Sequence, residues 1–483
     1  MLRPSHPTPR PLAELLGVVP GLSGDPGSVR VTGCTHDSRE VQPGDLYAGL
    51  PGANAHGADF ADQAVAAGAV AVLTDPLGAD RVHGVPVLVA ESPRAVLGEV
   101  AAWVHGDPSR ELLVLGVTGT NGKTTTAFLL EAGLRAAGHR TGLLGTVVTR
   151  IGDQAVPSVR TTPEATDLQS FFAALREQGV SAVAMEVSSH ALSRGRVDGV
   201  RFDVGVFTNL SQDHLDFHAD MEDYFQAKAS LFTPLRSTRG VVNADDPAGR
   251  RLLEHPAIPT IGYGRDAPWQ AVDRRLGPGG STFRLVGPTV DVAAAVQLAG
   301  EFNVDNAVAA LVALVEAGVP LAAAVRGVGE LTGVPGRMER VDAGQQFTAM
   351  VDYAHTPDAV ETLLRSVREF TTGRVLVVLG CGGDRDRGKR PLMGQAAMAG
   401  ADVVVLTSDN PRSEDPELIL DEMAQPGALR EVDRRRAIEL AVSLAAPGDT
   451  VVVAGKGHES GQDVGGVVTP FDDREVLRAV LSS

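Results

Sequence analysis

A chain of 483 residues, 43% of them hydrophobic, is long enough for about three domains with buried cores, at roughly 150 residues each. It holds no run of about 20 apolar residues that could span a bilayer, and a net charge of −17 argues against a nucleic-acid partner. A Pro-rich start without an apolar signal core, and two distant cysteines (Cys34 and Cys381) that cannot form a disulfide framework, suit a cytoplasmic protein.

Residues 1–107 read as a first domain. A helix is expected at 13–16, short strands at 29–34 and 45–49, and a helix at 60–67 before a strand at 69–74. The turn-rich piece 51–57 is a candidate binding loop. Asp37-Ser38-Arg39, just past a strand, either holds a polar ligand or is a turn capped by Asp and Ser. His105-Gly-Asp-Pro-Ser-Arg110 punctuates the passage into residues 108–336.

The second domain opens on its most informative stretch. The apolar run 112–115 with Val117 predicts a buried parallel strand. Gly119, Thr120, Asn121 and Gly122 then form a glycine turn, followed by Lys123, Thr124, Thr125 and a helical pattern ended by Gly138. Glycines let successive N–H groups point at one anion, and the helix N-terminus adds partial positive charge. Lys123 would reach the terminal phosphates of a nucleotide and Thr124 would place a hydroxyl on Mg²⁺. The strict phosphate-loop pattern wants Gly where Val117 stands, so the loop is a variant.

Strand and helix patterns alternate on to about residue 336, with parallel strands expected at 182–187, 204–207 and 240–242. Ligands in such sheets sit at the carboxyl ends of the strands. Glu186, a hard oxygen donor, suits the Mg²⁺ that accompanies ATP, or an ordinary ion pair. His214 is a second ligand candidate, or a solvated loop histidine. Lys228, on a helix over 223–231, reads from local sequence as a solvated lysine.

Residues 337–483 predict a third domain. Strands are expected at 350–353, 375–379, 403–406 and 451–454. They empty into Asp352-Tyr-Ala-His355, Gly380-Cys-Gly-Gly-Asp-Arg385, Ser408-Asp-Asn-Pro-Arg412 and Gly455-Lys-Gly-His-Glu459. Thr356 and Pro357 open a helix as N-cap and first residue. Carboxylates and guanidinium groups thus crowd one predicted sheet edge.

Gly119-Thr-Asn-Gly-Lys-Thr-Thr125, Thr161-Thr-Pro163, Glu186-Val-Ser-Ser-His-Ala-Leu192, Asn209-Leu-Ser-Gln-Asp-His-Leu-Asp216, Phe302-Asn-Val-Asp-Asn-Ala307, Tyr353-Ala-His-Thr-Pro-Asp358 and the three glycine- or proline-bearing loops of the last domain resemble, in order, the motifs of the Mur ligases. The likeness is greatest to the members that add the third residue of the peptidoglycan stem. It implies an α/β protein of three domains: a small N-terminal UDP-binding domain, a central phosphate-loop ATPase domain with a mostly parallel sheet, and a C-terminal Rossmann-like domain.

The resemblance also implies roles. ATP would be held by Gly119, Thr120, Asn121, Gly122, Lys123, Thr124 and Thr125, with Asn303, Asn306 and His355 nearby and Arg337 at a hinge. Thr124 and Glu186 would bind one Mg²⁺. His214 and Lys228, the latter carbamylated to N6-carboxylysine, would bind another. An ammonium would repel the metal, whereas a carbamate supplies an anionic oxygen. Lys123, Lys228, His214 and Glu186 would therefore serve the chemistry. Ser38, Thr161, Thr162, Ser188, Arg194 and Arg196 match positions holding the UDP-muramoyl substrate, although Arg194 stands where many relatives carry Gln.

Arg385, Asp409, Asn410, Pro411, Arg412, Gly455 and Glu459 would hold the amino acid. In the family Asp-Asn-Pro-Arg marks meso-diaminopimelate users. That molecule has a distal carboxylate which lysine and ornithine lack, and Arg412 can pair with it bidentately. Asn410 can fork either way. The implied partners are ATP, UDP-N-acetylmuramoyl-L-Ala-D-Glu and diaminopimelate, acting on a monomer in the cytoplasm with neither nucleic acid nor membrane. The same ligase using lysine or ornithine, a folylpolyglutamate synthase-like ligase and a non-catalytic nucleotide-binding module are the alternatives.

Overall fold

The computed structural model describes residues 2–156 and 160–482. Among them, three α/β layers follow one another along the chain, each built on its own sheet. The first sheet has the order Ser23–Gly24, Val87–Val89, Ala71–Thr74, Asp45–Ala48, Gly33–Thr35. Its last four strands are parallel and the first is antiparallel. Helix Pro93–Val104 lays Leu97, Val100, Trp103 and Val104 onto it, sealing a core with Leu12, Leu46 and Leu73.

The central sheet has eight strands among the described residues. Thr141–Leu144, Ala182–Glu186, Leu113–Thr118, Phe202–Phe207, Ser237–Asn243 and Thr260–Tyr263 run parallel. Thr149–Ile151 and Gln154–Val156 extend one edge as an antiparallel hairpin. Helices on both faces explain the uninterrupted apolar runs, because each side chain of a doubly covered strand is buried. Leu115, Val117, Val204, Val206 and Val241 meet helices Lys123–Ala136 and Glu301–Glu316 on one face. Val114, Val183, Met185, Phe207 and Val242 meet helix Ala165–Glu177 on the other.

The strand–helix alternation expected up to residue 336 is broken by an antiparallel three-stranded sheet, Gln270–Gly277, Gly280–Gly287 and Val290–Val296. Its signals stand in the sequence: a Pro-Gly-Gly turn and a Gly-Pro-Thr turn bracket a segment that buries Ser281, Phe283 and Leu285 and exposes Thr282 and Arg284. One face packs on the helical layer and the other is solvated, which produces the alternation.

The last sheet has the order Glu339–Arg340, Thr348–Asp352, Thr450–Ala454, Val375–Leu379, Val403–Leu406, Leu429–Arg430, parallel except for the first strand. Two fully buried arginines fix its loop edge. Arg434 forms a two-pronged ion pair with Asp473 (2.7 and 2.8 Å) and donates to Ala454 O and Ser408 O at the ends of two strands. Arg390 pairs with Glu414 and Glu422 and donates to Gly382 O. No helix among the described residues is long and apolar enough to cross a membrane. Because Arg434 and Asp473 are both wholly inaccessible, Asp473→Ala leaves a buried guanidinium unpaired. Urea unfolding of the C-terminal layer should show a loss of about 3–5 kcal/mol, and a loss below about 1 kcal/mol would contradict this role.

Candidate functional site

The parallel register of the central sheet sets Leu113–Thr118 between Ala182–Glu186 and Phe202–Phe207, so that three loops leave side by side. The glycine turn is one of them. Gly119 adopts φ +152° and Gly122 φ +86°. A Cβ on Gly119 would lie 1.9 Å from Thr208 Oγ1, and one on Gly122 2.5 Å from Asn306 Oδ1. The loop is stapled by Asn209, whose O accepts from Thr120 N at 2.9 Å and whose Oδ1 accepts from Asn121 N at 2.8 Å. Asn306 is held in turn by Asn303, which lies behind it: Asn306 Nδ2 donates to Asn303 Oδ1 at 3.1 Å.

Two lysines converge on one carbonyl. Lys123 Nζ donates to Gly119 O (2.9 Å) and Thr120 O (2.8 Å), and Lys228 Nζ donates to Gly119 O at 2.7 Å. Lys228 is therefore not the solvated lysine that its local sequence suggests. Helix Met221–Ala229 turns Tyr224, Phe225 and Lys228 inward on one face, and the ammonium lies 4.4 Å above the Tyr224 ring. Burial, reinforced by Lys123, pulls its pKa well below the ordinary lysine value. Burial lowers the pKa of Lys123 too, against the pull of Glu186 and Asp213.

Glu186 is buried, and its carboxylate accepts from Thr146 N (2.7 Å) and Thr146 Oγ1 (3.1 Å) instead of meeting a cation. The ion-pair alternative thus fails. Thr146 Oγ1 in turn lies 3.0 Å from Thr161 Oγ1. His214, at φ +56°, is edge-on to His190 and 3.4 Å from Asp213. Burial drives its pKa down to about 4, overcoming Asp213, so the ring is neutral near pH 7.

Lys123, Thr124, Thr125, Glu186, His214 and Lys228 line one cavity of about 430 Å³, together with Thr161, Ser188, Asn306, Arg337 and His355. Arg337 spans from the last layer to the first turn of the phosphate-loop helix, donating to Thr124 Oγ1 at 3.1 Å while its guanidinium lies 4.3 Å over Tyr353. No group of three His, Cys, Asp or Glu side chains that could hold a metal occurs among the described residues. The donors present suit Mg²⁺, which takes one or two protein ligands and completes its octahedron with water and phosphate oxygens. They do not suit a metal caged by protein alone.

The residues assigned to the muramoyl substrate divide. Thr161 and Ser188 face the cavity. Thr162 lies just behind, donating to Glu186 O and accepting from Ser188 N. Arg196 is paired with Glu164 at 2.8 Å, and Arg194 packs over Phe217. Ser38 donates to Gln63, and its neighbour Asp37 closes a turn with Arg39. Ser38, Arg194 and Arg196 do not contribute to the cavity wall.

A second cavity, of about 340 Å³, opens at the loop edge of the last sheet. Arg385, Asp409, Asn410, Arg412, Gly455 and Glu459 line it, and it shares Asp213, His214, Tyr353 and His355 with the first. Arg385 has no hydrogen-bond or ion-pair partner among the described residues. Arg412 adopts φ +51°, and its Nη1 donates to Gly383 O. Asn410 Nδ2 donates to Glu459 at 2.7 Å. Pro411 O would be 1.9 Å from a Cβ on Gly383, which explains that glycine. Asp213, Tyr353, Tyr224 and Lys389, whose Nζ donates to His355 O, drew no role from the sequence. Their signal was position alone, since each follows a strand end or faces one.

A glycine turn of phosphate-loop type beside a guanidinium-lined cavity fits a nucleotide-driven ligase. The comparisons agree. Residues 30–103 match the family model "Mur ligase family, catalytic domain", residues 117–314 the "Mur ligase middle domain" and residues 336–457 the "Mur ligase, glutamate ligase domain". The chain belongs to the Mur ligase family, ATP-dependent enzymes that form amide bonds. It is 57% identical to the UDP-N-acetylmuramoyl-L-alanyl-D-glutamate–2,6-diaminopimelate ligase of Streptomyces avermitilis over 99% of this chain and 98% of that one. Identity to the same-named ligase of Geobacillus thermodenitrificans is 46%, over 97% and 99%. A solved structure of a ligase of that name superposes with a TM-score of 0.68 at 36% identity, covering 94% of this chain and 95% of the other. Mycobacterium tuberculosis folylpolyglutamate synthase (22% identity, TM-score 0.62) shares the fold over 75% of this chain and 92% of its own.

The contact at Gly119 gives a direct test. Gly119→Ala should weaken ATP binding at least about tenfold in calorimetry, with the circular dichroism spectrum retained, since the loop can no longer close on Thr208. An unchanged dissociation constant would show that the loop's closure is not needed.

Proposed function

We propose that the protein joins the γ-carboxylate of D-Glu in UDP-N-acetylmuramoyl-L-Ala-D-Glu to an amine of meso-2,6-diaminopimelate, with ATP becoming ADP and phosphate. The observation that carries this is the shared wall: the two cavities have Asp213, His214, Tyr353 and His355 in common. A phosphoryl group seated at Lys123 can thereby be presented to a carboxylate that faces the amino-acid cavity.

The glycine turn and Lys123 would seat the terminal phosphates of ATP; Thr124 and Glu186 would hold one Mg²⁺, and His214 with Lys228 as its carbamate a second. Bound Mg²⁺ screens the charge of the transferred phosphoryl group. A carboxylate oxygen of the substrate bonds to the γ-phosphorus as the bond from that phosphorus to the ADP oxygen breaks. The deprotonated amine then adds to the acyl carbon, and phosphate departs with the C–O electron pair. Thr161 and Ser188 border the space for the acyl group, while Arg412 and Arg385 orient the amino acid through its distal carboxylate. This chain supplies position and charge; no side chain of its own forms a covalent intermediate. Burial draws the pKa of Lys228 well below the ordinary lysine value, which favours addition of its amine to CO₂ with loss of a proton, and the carbamate formed would replace an ammonium by a metal-binding oxygen.

Diaminopimelate, lysine and ornithine offered together, with the product weighed by mass spectrometry, test the choice of amino acid. Incorporation of lysine or ornithine in preference would sink it. Phosphate release that needs neither the muramoyl substrate nor an amino acid would sink the ligase reading altogether. Lys228→Ala should lose most activity and regain part of it with added acetate or formate; full activity without either removes the carbamate. Arg412→Lys should raise KM for diaminopimelate about tenfold or more, since a point charge cannot replace a planar fork, and should leave KM for ATP within about twofold.

A further inference from the structure

Lys456 lies between the two loops that shape the amino-acid cavity. It is fully buried, and its one carboxylate partner among the described residues is Glu459, a residue of the cavity wall. Its ammonium spends its three hydrogens on Asn410 Oδ1 (3.1 Å), Glu459 Oε2 (3.1 Å) and Gly461 O (2.7 Å). Asn410 Oδ1 accepts a second bond from Asp463 N at 3.0 Å. Both acceptor positions of that oxygen are thus filled, and both donors point from behind the cavity wall. The amide cannot turn over without exchanging two attractive contacts for two N–H···H–N clashes. Its nitrogen is thereby fixed toward Glu459 Oε2, at 2.7 Å.

Glu459 is polarised by the same contacts. Oε2 receives both Lys456 Nζ and Asn410 Nδ2. Among the described residues Oε1 and the second amide hydrogen of Asn410 have no protein partner, and both residues line the cavity. The wall therefore presents one carboxylate acceptor and one amide donor side by side, in fixed order. An amino-acid centre has the complementary pair, an ammonium and a carboxylate.

Resting on the function proposed above, we propose that Lys456 is a specificity-determining positioning residue: it locks Asn410 and Glu459 in the one orientation that accepts the distal amino-acid centre of diaminopimelate. Lysine, with an ammonium but no carboxylate there, satisfies the acceptor and leaves the donor unmatched. Removing Lys456 lets the Asn410 amide turn, and the discrimination against lysine falls.

Lys456→Met and Asn410→Asp test this in the full-length enzyme, with ATP affinity measured on each as the check of folding. Lys456→Met should raise KM for diaminopimelate about tenfold or more, the effect of losing a hydrogen bond to a charged group. Its kcat should stay within about threefold, and the ratio of kcat/KM for diaminopimelate over lysine should fall by a similar factor. Proportional rises in KM for ATP and diaminopimelate, or an unchanged selectivity ratio, would overturn the inference. Asn410→Asp keeps the partner of Lys456 and needs no buried cation removed, so it decides the matter if Lys456→Met does not fold. With the amide nitrogen toward Glu459, the new carboxylate repels Glu459 and diaminopimelate binding weakens about tenfold. Equal or tighter binding would mean that Asn410 faces substrate with its oxygen, and the lock fails. If the wild-type enzyme does not use diaminopimelate at all, the functional reading fails instead, a result seen before either variant is made.

Discussion

In-register pairing of parallel strands is the constraint on which this molecule depends. Leu113–Thr118 is hydrogen-bonded on both sides by strands pointing the same way, so the glycine turn, the segment after Glu186 and the segment after Phe207 must all emerge at one edge. The last sheet repeats the arrangement with Val375–Leu379 between Val403–Leu406 and Thr450–Ala454. A slip of one residue in either sheet would turn every strand-end side chain to the opposite face. It would carry Glu186 out of reach of Thr146 and break the apolar layers on both faces.

Buried cations then hold the loops that leave those edges. Arg434 ties Ser408 O to Ala454 O, Arg390 ties Gly382 to the segment bearing Glu414, and Arg337 reaches across to Thr124. An isolated charge in such surroundings would cost several kcal/mol. Arg434 and Arg390 are matched by carboxylates and carbonyl oxygens, so their charge rigidifies instead of destabilising. The phosphate loop is the exception. Lys123 and Lys228 face carbonyl oxygens alone, with Glu186 and Asp213 at longer range. That imbalance leaves two lysine side chains without a carboxylate in contact where a polyphosphate would sit.

How much of this was readable beforehand differs from residue to residue. The phosphate loop was legible because each of its requirements is local: an apolar strand, glycines for positive φ, and Lys-Thr at a helix start. The four loops of the last sheet were legible because polar residues follow apolar runs at parallel strand ends. Lys228 was not, since only the packing of Tyr224 and Phe225 decides that this face of its helix points inward. The antiparallel sheet from Gln270 to Val296 was written in its turns but masked by the expectation that alternation would continue. Ser38, Arg194 and Arg196 carried family-matched positions, yet their side chains are engaged elsewhere; sequence order says nothing about which guanidinium Glu164 will capture. The polarity of Asn410 needed Lys456, which lies far along the chain.

The two thiols share one circumstance. Cys34, in strand Gly33–Thr35, and Cys381, in the loop after strand Val375–Leu379, are both free and buried, and burial raises the pKa of both, that of Cys381 to about 12. A protonated, enclosed thiol is a poor nucleophile and a slow target for oxidants. Cys381 also lines the second cavity, so the rate at which alkylating reagents reach it becomes a clock for how often that wall breathes open.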